Sequence, residues 1–217
     1  MRKVDGKVES LTKRNALIGG RIIVGLLTLT ALVVQLVYLA QLGFFNPVNY
    51  FSYFTNLSNV FLSVVFLVGA AFLIQRREPT PTGEIIRGAS VAAIIIVGIV
   101  YGVLLSGEDL GHLMPWVNVV LHIVTPLAGI ADWLLLPPKH TLRYQQLGYW
   151  LIYPLAYIIY ALIRGAIVGF YPYFFVNPAL AGGYGGVALY CLGVFVTFLV
   201  VGAGLVYLAN RLPRSLE

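Results

Sequence analysis

Six apolar runs, at 21–42, 50–74, 88–105, 116–136, 149–168 and 186–209, divide the chain. Each is close to the roughly 20 residues that cross about 30 Å of hydrocarbon as a helix. Their polar residues are ordered. At about 100° per residue, Ser52, Thr55, Asn56, Asn59 and Ser63 of the second run fall within an arc of about 100°, with Ser58 beside Thr55. Asn118, His122, Thr125, Gly129 and Asp132 share an arc of about 80° on the fourth run. Tyr149, Tyr153, Tyr157, Tyr160 and Arg164 do so on the fifth, and Thr28, Gln35 and Tyr38 lie on one side of the first. Polar side chains are costly in hydrocarbon and turn towards the bundle interior or a cavity. The pattern predicts an all-α, polytopic membrane protein whose six transmembrane helices enclose a polar cavity.

Charge sets the topology. The connections 43–49, 106–115 and 169–185 hold no Lys or Arg, whereas the others and both termini do. Basic residues resist translocation, so both termini are predicted to be cytoplasmic. Residues 1–20 then form a cytoplasmic segment too polar for a signal peptide, 21–209 the membrane domain and 210–217 a cytoplasmic tail. Arg21 is expected to snorkel to the inner interface. The pI near 9.5 and net charge of +6 thereby become topological, with no nucleic-acid partner implied. Apolar residues make up 59% and charged ones 10%, against about 45–50% and about 25% in soluble domains, which excludes a soluble fold. One cysteine, Cys191, excludes a disulfide framework. No metal or cofactor is expected: His112 falls in a connection and His140 on the opposite side, and no phosphate-binding glycine loop is present.

Depth narrows the chemistry. Thr55 lies roughly 6–8 Å below the outer boundary, His122 roughly 9 Å and Arg164 roughly 6 Å, so one layer can hold all three. Asp132 is roughly 15 Å deeper and cannot orient His122. Thr55 and His122 form a candidate nucleophile and base, since a hydroxyl needs an adjacent base to take its proton. The competing reading has Thr55 bonded to the carbonyl one turn back and His122 in an interhelical hydrogen bond. Asn56, Asn59 and Asn118 are candidate oxyanion donors, or else interhelical glue. Arg164 either holds a carboxylate or phosphate of a lipid-like ligand, or snorkels, or pairs with Glu108 or Asp109. Ser58 is a second candidate nucleophile. Gly98-x-x-x-Gly102 and Gly165-x-x-x-Gly169 suit close helix packing. Tyr171, Tyr173, Phe174 and Phe175 read as an interfacial aromatic belt, in a charge-free connection that could also close over the cavity.

The run Tyr50-Phe51-Ser52-Tyr53-Phe54-Thr55-Asn56-Leu57-Ser58-Asn59, with Pro115-Trp116-Val117-Asn118-Val119-Val120-Leu121-His122, resembles the androgen-induced and androgen-dependent membrane proteins and their bacterial six-helix relatives. The resemblance implies an intramembrane threonine hydrolase. Animal members cleave fatty acid esters of hydroxy fatty acids with an essential Thr and His, matched here by Thr55 and His122. The chain looks closer to the bacterial relatives, which implies the cytoplasmic membrane of a bacterium and leaves the ester open.

The leading expectation is therefore a hydrolase of lipid esters, with membrane lipids as its surroundings and a lipid ester as its substrate. One rival is a lipid or small-molecule carrier using the same cavity; another is an assembly protein whose polar stripes only join helices. The sequence leaves a homo-oligomer open.

Overall fold

The computed structural model describes residues 2–213, with side chains from Leu11 onward. Helix α1 (Arg2–Gln41) is followed by a short α2 (Pro47–Tyr50), α3 (Phe54–Ile74), α4 (Pro81–Val100), α5 (Pro115–Val119), α6 (Thr125–Leu135), α7 (Leu147–Val168) and α8 (Gly183–Arg211). A π-turn, Tyr101–Leu105, extends α4, and another, Val120–Val124, joins α5 to α6. There is no strand among the described residues. Six helical stretches are long and apolar enough to span a bilayer: Leu11–Gln41, Phe54–Ile74, Pro81–Leu105, Pro115–Leu135, Tyr144–Val168 and Gly183–Arg211. Side chains such as Val103, Ile167 and Leu189 stand exposed on their outer faces, an arrangement that water would oppose and lipid accepts. The chain is an integral, multi-pass membrane protein.

The boundaries differ from the hydropathy reading where caps and turns intervene. Helix α1 continues back to Arg2, because nothing between the polar segment and the first span breaks a helix. The second span begins at Phe54 rather than 50. Asn46 caps α2, its side-chain oxygen accepting from the Asn49 N–H at 3.0 Å, and the chain turns before α3. Ser52 thus leaves the helix; its hydroxyl donates to the Val48 carbonyl (2.6 Å) and lies 2.8 Å from the Tyr160 hydroxyl. Helix α4 starts at Pro81, not 88, since Thr80 caps it by accepting from the Gly83 N–H and Pro81 fits the first turn. Tyr149 leaves the predicted stripe and is 63% exposed, facing outward.

Helix α4 is the central element, packed against α3, α6, α7 and α8. Val91, Ala92, Ala93 and Ile94 are fully buried, two alanines letting neighbouring helices approach. Gly88 is closer still: a Cβ there would lie 2.0 Å from the ring of Trp150, itself fully buried on α7. Gly88→Ala is expected to cost about 1–3 kcal/mol through overpacking, read as a lower thermal midpoint in detergent.

At the end of the bundle that carries the termini (the proximal end), Asp132 sits between two arginines. Arg21 donates from Nε (2.6 Å) and Nη2 (3.1 Å), and Arg87 from Nε (3.0 Å). Arg21 therefore turns into the bundle rather than outward, 5% exposed and joining α1 to α6. Gly69 makes room for it, since a Cβ at 69 would lie 2.6 Å from Arg21 Nη1. Thr28 and Thr125 join the same two helices one layer up, at 2.8 Å. At the opposite, distal end, Gln35 donates to the His112 carbonyl and accepts from the Met114 N–H, fastening the 106–114 connection over α1.

Candidate active site

Thr55 lies in the first turn of α3, where backbone N–H groups lack helical partners and the dipole is positive. No side chain caps this turn from Tyr53. The Thr55 N–H donates instead to the Tyr173 hydroxyl at 3.1 Å. Thr55 Oγ1 lies 3.2 Å from that hydroxyl and 3.4 Å from His122 Nε2. These are its only hydrogen bonds among the described residues; the carbonyl one turn back is not a partner.

His122 sits on the π-turn between α5 and α6. Pro126 lacks an N–H, so the ladder cannot close on the His122 carbonyl, and the Thr125 hydroxyl donates to the Val120 carbonyl at 2.9 Å. π-Turns of this kind recur at functional sites. Nδ1 of His122 lies 3.1 Å from the Asn118 carbonyl oxygen, which can only accept. Nδ1 therefore carries the proton, and Nε2 turns its lone pair to the Thr55 hydroxyl. The Tyr101 ring stacks on the imidazole at 4.3 Å and 21°, and Asn118 donates to the Tyr101 hydroxyl at 2.8 Å. Gly98 admits this arrangement, since a Cβ there would stand 3.1 Å from Pro126. At 3.4 Å the Thr–His separation is longer than a tight hydrogen bond.

The remaining candidates take other positions. Asn59 donates to the carbonyls of Thr55 (2.9 Å) and Leu121 (3.2 Å), tying α3 to the π-turn that carries His122. The Asn56 amide donates to the Tyr50 carbonyl at 2.8 Å. The three asparagine amide groups are thus engaged with protein oxygens. Ser58 turns to the Tyr153 hydroxyl at 3.1 Å, away from His122. Arg164 donates to Asn49 Oδ1 at 2.6 Å, lies over the Phe170 ring at 4.7 Å and makes no ion pair among the described residues. Of the glycine pairs, Gly165 receives the Tyr171 ring and Gly169, at φ +72°, ends α7; nothing approaches Gly102.

Tyr173 joins the site unanticipated. Within an aromatic run it read as interfacial, and only the charge-free length of its connection hinted that the segment folds inward. Burial pushes its phenol up to about 12, so it keeps its proton and serves as a neutral donor. Tyr173→Phe is expected to lower turnover about tenfold or more, by removing a donor beside the reacting oxygen, with a smaller effect on thermal stability.

Two cavities meet at Thr55. One, of about 450 Å³, is walled by apolar side chains of α4, α7 and α8, among them Val97, Leu151, Leu155, Leu192 and Phe198. The other, of about 530 Å³, lies under the distal connections and is lined by Gln35, Asn49, Asn56, Glu108, Asp109 and His122, among others. Thr55, Leu105 and Tyr173 line both. Arg164 lines neither.

Comparison with protein-family models, curated proteins and solved structures matches the chain to none of them.

Proposed function

We propose that the protein is an intramembrane hydrolase of lipid esters with Thr55 as nucleophile and His122 as base. The observation that carries the reading is the Thr55 hydroxyl facing the unprotonated Nε2 of an imidazole whose other nitrogen is held by a carbonyl. Thr55 attacks the ester carbonyl as His122 takes its proton, and His122 returns that proton to the departing alcohol. The acyl-threonine so formed is cleared by water, again with His122 as base. In this scheme Tyr173, beside the Thr55 hydroxyl, and the positive end of α3 stabilise the charge that develops on the carbonyl oxygen. Asn59, with bonds to the Thr55 and Leu121 carbonyls, positions the pair, while Asn56 and Asn118 each keep a second amide N–H that can serve the oxyanion. No cofactor enters this scheme.

The resemblance to the androgen-induced and androgen-dependent proteins supports the same chemistry. With both termini cytoplasmic, in a bacterial cytoplasmic membrane, the site would lie in the outer half of the bilayer. The test is fatty acid release from long-chain esters by the purified protein in detergent micelles. Release by the native chain and none by Thr55→Ala or His122→Ala is expected. Equal release by all three would sink the reading.

A further inference from the structure

Resting on the hydrolase reading, the two cavities divide the substrate between them. His122 must hand its proton to the leaving alcohol, and His122 lines the distal cavity but not the apolar one. The alcohol therefore departs into the distal cavity. Water that clears the acyl-threonine must meet the same nitrogen, so it arrives through that cavity as well. The acyl chain, bonded to Thr55, is left with the apolar cavity, whose volume falls within the roughly 300–1,000 Å³ common for ligand sites. Leu155, Leu192 and Phe195 line that cavity and are also exposed on the bundle surface, where α7 and α8 barely touch. The cavity thus opens sideways into the hydrocarbon, where acyl chains reside.

The charge of the distal cavity selects the alcohol. Its charged lining residues are Glu108 and Asp109, and no Lys or Arg lines it. Arg164 stands behind the wall rather than on it: it donates to Asn49 and lies over the Phe170 ring, both of which line the cavity. An alcohol with a free carboxylate or phosphate would meet two like charges on the lining itself, with the nearby cation, Arg164, held behind Asn49 and Phe170. We infer that the substrate is a long-chain acyl ester of a small uncharged or cationic alcohol: the chain enters between α7 and α8, and the alcohol leaves through the acidic distal cavity. The bond between Thr55 Oγ1 and the carbonyl carbon forms as the bond from that carbon to the alkoxy oxygen breaks. The Thr55 proton goes through His122 to the alcohol. Water then supplies a hydroxyl to the acyl carbon and a proton, again through His122, to Thr55, releasing the fatty acid.

The test compares three palmitoyl esters on the purified full-length protein: monopalmitoylglycerol, palmitoylcholine, and the palmitoyl ester of a hydroxy fatty acid with a free carboxylate. At low ionic strength kcat/KM is expected to be about tenfold higher for the first two, a difference that narrows with salt and in the double variant Glu108→Gln, Asp109→Asn. Loss of rate on palmitoylcholine alone in that variant would mark a cationic alcohol as the preferred one. A carboxylate-bearing ester turned over as fast as the others, or faster, would overturn the inference. A second arm fills the apolar cavity from its half-buried lining residue Cys191. Cys191→Trp is expected to lower kcat/KM about tenfold for palmitoyl esters and to leave acetyl esters and labelling of Thr55 by a fluorophosphonate intact. Equal loss on both chain lengths, with labelling intact, would overturn the placement of the acyl chain. No turnover of any ester together with no label on Thr55 would remove the hydrolase reading itself.

Discussion

Thr55→Ala is expected to reduce ester turnover by about 10⁴-fold or more while the helical bundle stays folded. The hydroxyl has two hydrogen-bond partners, His122 and Tyr173, and the Asn59 amide ties α3 to the π-turn of His122 without it. Its loss should cost only about 1 kcal/mol of stability. His122→Ala should be as damaging, since an unactivated hydroxyl is a poor nucleophile. The double variant should be scarcely worse than either single one, because nucleophile and base act as a unit. Turnover in micelles, set beside thermal unfolding of each variant, separates this outcome from the assembly reading, in which Thr55→Ala would weaken the fold and leave no activity to lose.

The opposite signature is expected at the proximal end. Asp132→Ala leaves Arg21 and Arg87 buried without their shared carboxylate, and breaking a buried ion pair in this way costs about 3–5 kcal/mol. For a chain of this size that corresponds to a thermal midpoint lower by about 10 °C. Asp132 lies roughly 15 Å along the helix from His122, so the activity of the molecules that remain folded should change little. Replacing Arg21 and Arg87 by Met and Asp132 by Leu together should restore much of the lost midpoint, because it removes the uncompensated charges along with their partner. Unfolding followed by differential scanning fluorimetry in detergent measures both.

The six spans were legible because hydropathy and helix length are tied to bilayer thickness. Two polar faces at a common depth also pointed to Thr55 and His122, whose side chains lie 3.4 Å apart. The helical wheel lost accuracy where the helices depart from a constant 100° per residue. Ser52 falls in a turn before α3, and the π-turn at Val120–Val124 shifts the phase of the fourth span. Pro126 was the visible warning there. The roles of polar side chains were harder to read. Whether an Asn amide faces a cavity or a carbonyl depends on the neighbouring backbone, and Asn56 and Asn59 both found carbonyls. Partners far apart in sequence were out of reach: Arg21 meets Asp132 from 111 residues away. The sequence puts Tyr173 in a connection that could close over the cavity but not beside Thr55, because an aromatic run at a helix end looks the same whether it meets headgroups or folds inward.

The central claim is an activated hydroxyl on Thr55. A fluorophosphonate that reacts only with activated nucleophiles, applied to the purified detergent-solubilised protein and mapped by peptide mass spectrometry, tests it most directly. The account predicts a label on Thr55 that disappears in His122→Ala although that variant still unfolds cooperatively. Native protein that stays unlabelled, or that carries its label on Ser58, would contradict it, and the unlabelled result would favour a carrier using the same cavities.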